Sequence, residues 1–131
     1  MKIKLTTLYV DDQEKALAFY TGVLGFTKKA DFSNSGYRWL TVTPPEQGDG
    51  VELQLALNNN PAAAAFQKAM FEQNQPAVMF YSDDIEGEAK AITARGGSFT
   101  MPPTDVTAST IAQIPDGVGN LVQITQLKWG G

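Results

Sequence analysis

The amino-acid sequence predicts an α+β fold built from two βαβββ modules, and three observations support this prediction. The segments LYVDDQEKALAFYTGVLG (8–25) and FYSDDIEGEAKAITARGG (80–97) are similar at an offset of 72 residues. Each copy has a short apolar strand, an acidic helix start and an amphipathic helix that ends at a glycine. Each copy is followed by segments in which apolar and polar residues alternate, which is typical of strands.

The first module is expected to contain one helix and four strands. The pattern places strands at 3–10, 27–33, 36–43 and 51–57 and the helix at 12–24. Asp11 or Asp12 can cap this helix, because a carboxylate there accepts hydrogen bonds from free backbone N–H groups. The helix turns four apolar side chains to one side at spacings of three and four, namely Ala16, Phe19, Tyr20 and Val23.

A linker helix and a second module follow. NNNPAAAAFQKAMFEQN (58–74) predicts a helix over 61–72, with Asn60 as its cap and Pro61 at its first position. We expect Phe66 and Met70, four residues apart, on its buried stripe. The second module is expected to have a strand at 76–82, a helix at 84–95 capped by Asp83 or Asp84, strands near 98–101, 108–114 and 120–127, and a turn at 115–120.

The chain is therefore interpreted as one domain over residues 1–131. Module one occupies 1–57, the linker helix lies in 58–74, and module two occupies 75–128. A hydrophobic fraction of 43% and a charged fraction of 18% are ordinary for a globular domain.

Composition also restricts the possible functions. The net charge of −4 offers no basic face for a phosphate backbone, so a nucleic-acid partner is disfavoured. The apolar runs are strand-sized, and the N-terminus has no separate apolar segment, so we expect no membrane association, no signal peptide and a cytoplasmic protein. The absence of cysteine and histidine excludes thiolate chemistry, the usual general base and the commonest transition-metal ligands.

The chain resembles the vicinal oxygen chelate superfamily, which includes glyoxalase I, bleomycin-resistance proteins and extradiol dioxygenases. The resemblance rests on LYVDDQEKALAFYTGVLGF, YSDDIEGEAKAITARGG and IPDGVGNLVQI, in that order, and covers essentially the whole chain. It implies that each module is a curled mixed sheet, that the two modules enclose a cavity, and that the chain forms a homodimer.

Metal enzymes of this superfamily place ligands on the first and last strands of each module. The resemblance carries these positions to Leu5, Glu52, Ala77 and Gln123, with 72 residues between the first-strand positions and 71 between the last-strand positions. Leu5 and Ala77 cannot coordinate a metal, and one carboxylate with one amide suits at most a weakly held, hydrated Mg²⁺ or Ca²⁺. We therefore predict no cofactor and no catalytic metal, and we disfavour glyoxalase I and extradiol dioxygenase activity.

A metal-free pocket is the predicted site. If Glu52 faces the cavity, strand alternation selects its companions. The predicted ligand-binding residues are Thr7, Tyr9, Trp39, Thr41, Glu52, Gln54, Met79, Tyr81, Gln123 and Thr125. This mixture of aromatic, neutral polar and acidic groups suits a small organic ligand. The alternative for each residue is a structural role. Arg38 could bind an anionic ligand, but it lies on the opposite strand face, so a surface ion pair or a stacking contact is expected instead.

Two functions from different classes remain open. In the first, the protein binds a small aromatic compound, neutral or cationic, and sequesters it as some bleomycin-resistance proteins of the superfamily do. In the second, it is a lyase or isomerase that acts on a small carbonyl compound. Glu52 would then be a general base, and Tyr9, Tyr81 or Gln123 would donate to the developing oxyanion.

Overall fold

Two four-stranded mixed sheets, each crossed by one helix, form the framework of the chain. The computed structural model describes residues 1–48 and 50–129. The first sheet has the order β1-β4-β3-β2, from strands Leu5–Val10 (β1), Thr27–Asn34 (β2), Tyr37–Thr43 (β3) and Glu52–Leu57 (β4). The second has the order β5-β8-β7-β6, from strands Val78–Tyr81 (β5), Met101–Val106 (β6), Ser109–Pro115 (β7) and Leu121–Leu127 (β8). The predicted α+β fold with two βαβββ modules is thus confirmed.

The helix of each module begins at a predicted aspartate. The α1 helix runs over Gln13–Leu17 and continues as a π-helix over Ala18–Val23. Asp12 caps α1 by accepting a hydrogen bond from the backbone N–H of Lys15, and Asp84 caps helix α3 (Ile85–Ala94) in the same way. The repeat left two adjacent aspartates as candidates for each cap, and in both modules the structure selects the second of them.

The linker helix α2 spans Pro61–Glu72 with Asn60 as its cap, as predicted. The interpretation of its buried stripe is wrong at one residue, because the Phe66 side chain is 63% exposed. Gln67 is buried instead, and its amide takes part in a hydrogen-bond network described below. A glutamine was not expected there because apolar periodicity does not detect a buried polar side chain.

The second module differs from the predicted map at β6. The strand covers Met101–Val106 rather than 98–101, although it contains Pro102 and Pro103. Prolines lack a donor and are accepted at the edge of a sheet or at a bulge. Both conditions hold here, because β6 is the outermost strand and its register with β7 shifts between Met101 and Thr104.

Strand register corrects the internal repeat. Thr7 pairs with Gln54, whereas Met79, 72 positions after Thr7, pairs with Gln123. Gln123 is therefore the counterpart of Gln54, and the prediction that it is equivalent to Glu52 is wrong. The cause is turn length: eight residues (44–51) separate the last two strands of module one, and five (116–120) separate those of module two.

The two modules share one buried core. It contains aliphatic side chains from both sheets together with Tyr20 of the π-helix that follows α1 and Ile92 of α3. The rings of Phe26 and Phe80 meet edge to face across the module boundary with centroids 5.0 Å apart. Burial of this surface fixes one face of each sheet against helices and leaves the other face free to carry polar groups. No helix in residues 1–48 and 50–129 is long and apolar enough to span a bilayer.

Candidate functional site

The sheet face opposite α1 carries a set of polar and aromatic side chains, which we call the first polar face. It consists of Thr7, Tyr9, Tyr37, Trp39, Thr41, Glu52, Gln54 and Ala56. The hydroxyl of Thr41 donates to Oε1 of Glu52 over 2.6 Å. Thr7 donates to Oε1 of Gln54 over 2.9 Å, and Nε2 of Gln54 donates to the Tyr37 hydroxyl oxygen over 3.0 Å. Alternation along the strands therefore placed these groups correctly on one face.

The second sheet has a corresponding set, the second polar face, made of Met79, Tyr81, Gln113, Gln123 and Thr125. Gln113 donates to Oε1 of Gln123 over 3.0 Å, and Nε2 of Gln123 donates to the Thr125 hydroxyl over 3.2 Å and lies 3.9 Å from the Met79 sulfur. Each sheet thus has a glutamine amide held by its neighbours in an equivalent position. A fixed amide presents its remaining donor and acceptor positions in defined directions.

Aromatic and thioether groups on both faces are open to solvent in the single chain. The exposed fractions are 40% for Tyr9, 57% for Tyr37, 51% for Met79 and 66% for Tyr81. The polar groups beneath them are less accessible, since Thr41, Gln54 and Thr125 are buried. Large exposed apolar groups around ordered polar groups are typical of surfaces that bind a partner or a ligand.

The predicted residues are divided between two cavities. Thr7, Tyr9 and Gln54 line a cavity of about 300 Å³ on the first sheet, together with Tyr37 and Ala56. Met79 and Tyr81 line a wider cleft of about 940 Å³ between the modules. The remaining predicted residues, Trp39, Thr41, Glu52, Gln123 and Thr125, line neither cavity.

The wider cleft has an acidic side. Glu46, from the short 3₁₀ turn Pro45–Gln47, and Glu88 of α3 both line it, together with Arg95. Burial raises the pKa of Glu88, and the nearby charge of Glu46 raises it further. Arg95 is positioned by a hydrogen bond from its Nε to the carbonyl of Val23, which ties α3 to the end of α1.

A transition metal does not fit the four positions given by the family resemblance. Leu5 and Ala77 have hydrocarbon side chains, and the amide of Gln123 is already held by Gln113 and Thr125. Within the part of the chain that the structure describes, no group of three or more His, Cys, Asp or Glu side chains could hold a metal ion. A Zn²⁺ or Fe²⁺ site needs three or four suitable donors.

Arg38 is part of an ion-pair cluster on the helix side of the first sheet, as predicted. Its guanidinium donates to both carboxylate oxygens of Asp31 over 2.8 Å and also pairs with Glu14. The hydrogen bonds from Arg38 hold the pKa of Asp31 at about 2. Because its charge is already matched, Arg38 supports the sheet and does not act as an anion site.

Sequence reasoning missed a buried polar network that joins the modules next to Tyr9. Nε2 of Gln67 donates to the backbone carbonyls of Tyr9 and Val118 over 2.8 and 3.0 Å and lies 3.2 Å from Oδ1 of Asn120. Asn120 also donates to the Tyr9 carbonyl over 2.8 Å. The network therefore fixes the backbone of β1 at the edge of the first polar face.

Asp116 is the acidic member of this network. Its carboxylate accepts hydrogen bonds from the backbone N–H groups of Val118 and Asn120 over 2.9 Å and from the Tyr20 hydroxyl over 2.8 Å. Burial raises the pKa of Tyr20 well above its usual value, and the charge of Asp116 adds to this effect. Gly119 allows the close approach, since a β-carbon there would lie 2.6 Å from the Gln67 amide nitrogen. The PDGVGN turn was the available sequence signal.

The fold defines a paired βαβββ protein with a polar face on each sheet. The sequence profile of the Glyoxalase/Bleomycin resistance protein/Dioxygenase superfamily matches residues 2–124. The chain belongs to this superfamily, and the resemblance seen in the sequence is confirmed.

Individual relatives agree with this assignment. YurT, an uncharacterised protein of Bacillus subtilis (strain 168), is 44% identical over 126 residues, which cover 96% of this chain and 99% of YurT. The structure of TnmS3, an antibiotic binding protein from Streptomyces sp. CB03234, superposes with a TM-score of 0.77 at 25% identity and covers 98% of this chain and 97% of its own. The structure of a superfamily member from Sphaerobacter thermophilus DSM 20745 superposes with a TM-score of 0.72 at 28% identity. The match covers 96% of this chain and 97% of that protein's chain.

Proposed function

We propose that this protein binds a small aromatic compound, neutral or cationic, on its polar faces and sequesters it. The observation that carries the proposal is the combination, on one sheet face, of exposed tyrosines with hydrogen-bonded amide and hydroxyl groups and the Glu52 carboxylate. Aromatic faces provide stacking and cation–π attraction, and the fixed polar groups orient the ligand. The chain acts as one domain, residues 1–131, without a metal cofactor.

We further propose that the binding unit is a homodimer. Both polar faces are open to solvent in the single chain, and a partner subunit would cover part of their exposed aromatic surface. A bulky ligand could then contact a polar face from each subunit. A cytoplasmic location and the lack of a nucleic-acid partner stay predictions from composition.

The similarity to TnmS3 supports this proposal. That protein is an antibiotic binding protein, and nearly the whole of both chains superposes. An overall identity of 25% does not transfer the bound compound from one protein to the other, so the compound bound by this chain has to be identified directly.

A thermal-shift screen tests the proposed function. Bleomycin and a panel of aromatic amines and neutral aromatic lactones would be added at about 1 mM to the full-length protein. A ligand that binds the native state at 100 times its Kd adds about 2.7 kcal/mol of stability, which is an increase of several degrees in Tm. We expect at least one compound class to raise Tm, and Trp39→Ala to reduce that increase. If every compound leaves Tm unchanged, the proposal is wrong.

Lyase or isomerase chemistry on a small carbonyl compound is a second candidate. It is favoured by the Glu52 carboxylate, because Thr41 occupies Oε1 and Oε2 has no hydrogen-bond partner within the described part of the chain. That oxygen could accept a proton from carbon next to a carbonyl. A Glu52→Gln variant would then lose turnover of any substrate found, whereas the sequestration function predicts no turnover in the wild type.

A further inference from the structure

The first polar face borders a cavity that is lined by one chain. Five residues of that face line it, namely Thr7 and Tyr9 on β1, Tyr37 on β3, and Gln54 and Ala56 on β4. We call these five residues the tyrosine slot. Its volume of about 300 Å³ is at the lower end of the range for small-molecule sites.

One member of the tyrosine slot has a small side chain. Tyr9 pairs directly with Ala56 in the register of β1 and β4, and Ala56 contributes only a methyl group to the cavity lining. In the described residues, ring-to-ring contacts involve Phe19, Tyr20, Phe26 and Phe80, so the Tyr9 and Tyr37 rings do not stack on another aromatic ring. Tyrosine rings that are free of other aromatic contacts can stack on a planar ring of a ligand.

The slot carries no free charge. Arg38 is the charged residue among the described residues that line it, and its guanidinium is bound to Asp31 and Glu14. Gln13 also lines the cavity and is engaged, because its amide donates to the carbonyls of Arg38 and Leu55. No unpaired charge is therefore present among the described residues that line the cavity, and an uncharged ligand loses no ion hydration on entry.

The hydrogen bonds of the slot form a chain in which each group donates to the next. Thr7 donates to Gln54, and Gln54 donates to the Tyr37 hydroxyl oxygen. The O–H of Tyr37 therefore remains available as a donor, and in the described part of the chain it has no acceptor. Successive hydrogen bonds of this kind polarise one another and strengthen the terminal donor.

We propose that the tyrosine slot binds a planar, uncharged ring system that carries a carbonyl oxygen, and that the Tyr37 hydroxyl donates to this oxygen. The proposal deepens the proposed function, on which it rests, by assigning a ligand class and a specificity-determining residue. The second sheet has no equivalent slot: the positions that correspond to Tyr37 and Ala56 are Ser109 and the buried Thr125.

Paired probes test the proposal. Coumarin has a planar bicyclic ring and a carbonyl oxygen, and 2H-chromene has the same skeleton with a methylene group in its place. Binding of both to the full-length protein would be measured by isothermal titration calorimetry. We expect coumarin to bind more tightly and Tyr37→Phe to weaken coumarin about fivefold to tenfold, the value of one hydrogen bond, without changing chromene. Tyr9→Ala should weaken both.

An exposed aromatic residue outside both polar faces provides the control. Phe66→Ala removes a ring that is 63% exposed on α2, and we expect it to leave coumarin binding unchanged. Unchanged coumarin binding in Tyr37→Phe, or no preference for coumarin over chromene, overturns the proposal. If Tyr81→Ala weakens coumarin and Tyr9→Ala does not, the slot is wrong while ligand binding by the protein stands. All these side chains are exposed, so a thermal melt within about 2 °C of wild type confirms that each variant is folded.

Discussion

At the scale of the residue, two threonines on β3 illustrate how hydrogen bonding decides the effect of a side chain. Thr41 and Thr43 are both buried and lie on the same strand face, two residues apart. The Thr41 hydroxyl is bonded to Glu52. The Thr43 hydroxyl has no partner within the described residues. A buried hydroxyl without a partner costs free energy, whereas a satisfied one contributes to stability.

We therefore predict opposite effects for the same substitution at these positions. Thr43→Val should raise the free energy of unfolding by up to about 1 kcal/mol, because it removes an unsatisfied polar atom. Thr41→Val should lower it by about 1 kcal/mol, because it removes a hydrogen bond to a carboxylate. Urea denaturation of both variants measures the difference. Equal effects would show that the Thr43 hydroxyl has a partner in solution.

The proposed function gives the Glu52 carboxylate a charge-specific role in ligand binding. Glu52→Gln should weaken a cationic aromatic ligand about tenfold or more and leave a neutral ligand of the same shape almost unchanged, since only the charge is removed. Glu46→Gln is the matched control, because it removes the same charge in the cleft between the modules. Equal losses in the two variants would indicate general electrostatic attraction rather than contact with Glu52.

At the scale of the element, the sequence predicted what depends on local chemistry. The bounds of α2 and its cap at Asn60 follow from the residues beside the helix start, whereas the sequence narrowed the caps of α1 and α3 to two adjacent aspartates each, of which the structure selects Asp12 and Asp84. The position of β6 depends on its place at the sheet edge, and the buried role of Gln67 depends on partners far away in the chain. Neither is visible in a local pattern.

In the candidate site, too, the sequence predicted the features that depend on local patterns and missed those that depend on distant contacts. Alternation on β3 and β4 placed Thr41 and Gln54 on the face of Glu52, and the structure agrees. Tyr37 was left out of the predicted site, because the direct contact between its hydroxyl and Gln54 depends on how far the side chain reaches across the neighbouring strand. The equivalence of Glu52 and Gln123 failed by two residues, because the turn before the last strand is three residues shorter in module two and the prediction allowed for a difference of one.

The attachment of α2 provides a test of the buried network. Gln67→Leu removes an amide that donates to Tyr9 and Val118 and accepts from Asn58. We predict a loss of about 2 kcal/mol in the free energy of unfolding, because buried carbonyls lose their donors. Gln73→Leu, an exposed position at the end of the same helix, should change it by less than about 0.5 kcal/mol. Similar values for both variants would contradict the proposed role of the network.

The Tyr20–Asp116 pair predicts a dependence on alkaline pH. An unfolded tyrosine titrates near pH 10, and the pKa of Tyr20 in the folded chain is higher. The folded state therefore holds this proton more tightly, and the resulting stability is complete below about pH 10 and is lost as pH rises above that value. Tyr20→Phe should lower the free energy of unfolding by about 1–3 kcal/mol at pH 7, because Asp116 loses a hydrogen-bond donor. This difference between the variant and the wild type should become smaller above pH 10, and urea denaturation at pH 7 to 11 would measure it. A constant difference across this range would refute the assignment.

At the scale of the whole molecule, the modules combine a rigid joint with two open faces. The joint consists of the Phe26–Phe80 contact and the network of Gln67, Asp116 and Asn120. It holds the modules in one arrangement, so any further closure of the polar faces has to come from a ligand or a second subunit.

Sedimentation equilibrium at micromolar concentration should give the mass of a dimer, about twice 14.2 kDa. A monomer that nevertheless binds ligand would limit the site to one chain.

The emission of Trp39 tests the central claim, that an organic ligand occupies the first polar face, most directly. The sequence contains two tryptophans, and Trp129→Phe leaves Trp39 as the one reporter. A compound that raises Tm in the screen would be titrated into this variant while fluorescence is recorded. We predict saturable quenching or a shift of emission with the same Kd as the thermal measurement, and its loss in a Gln54→Ala background. Stabilisation by the compound with unchanged Trp39 emission would contradict the account.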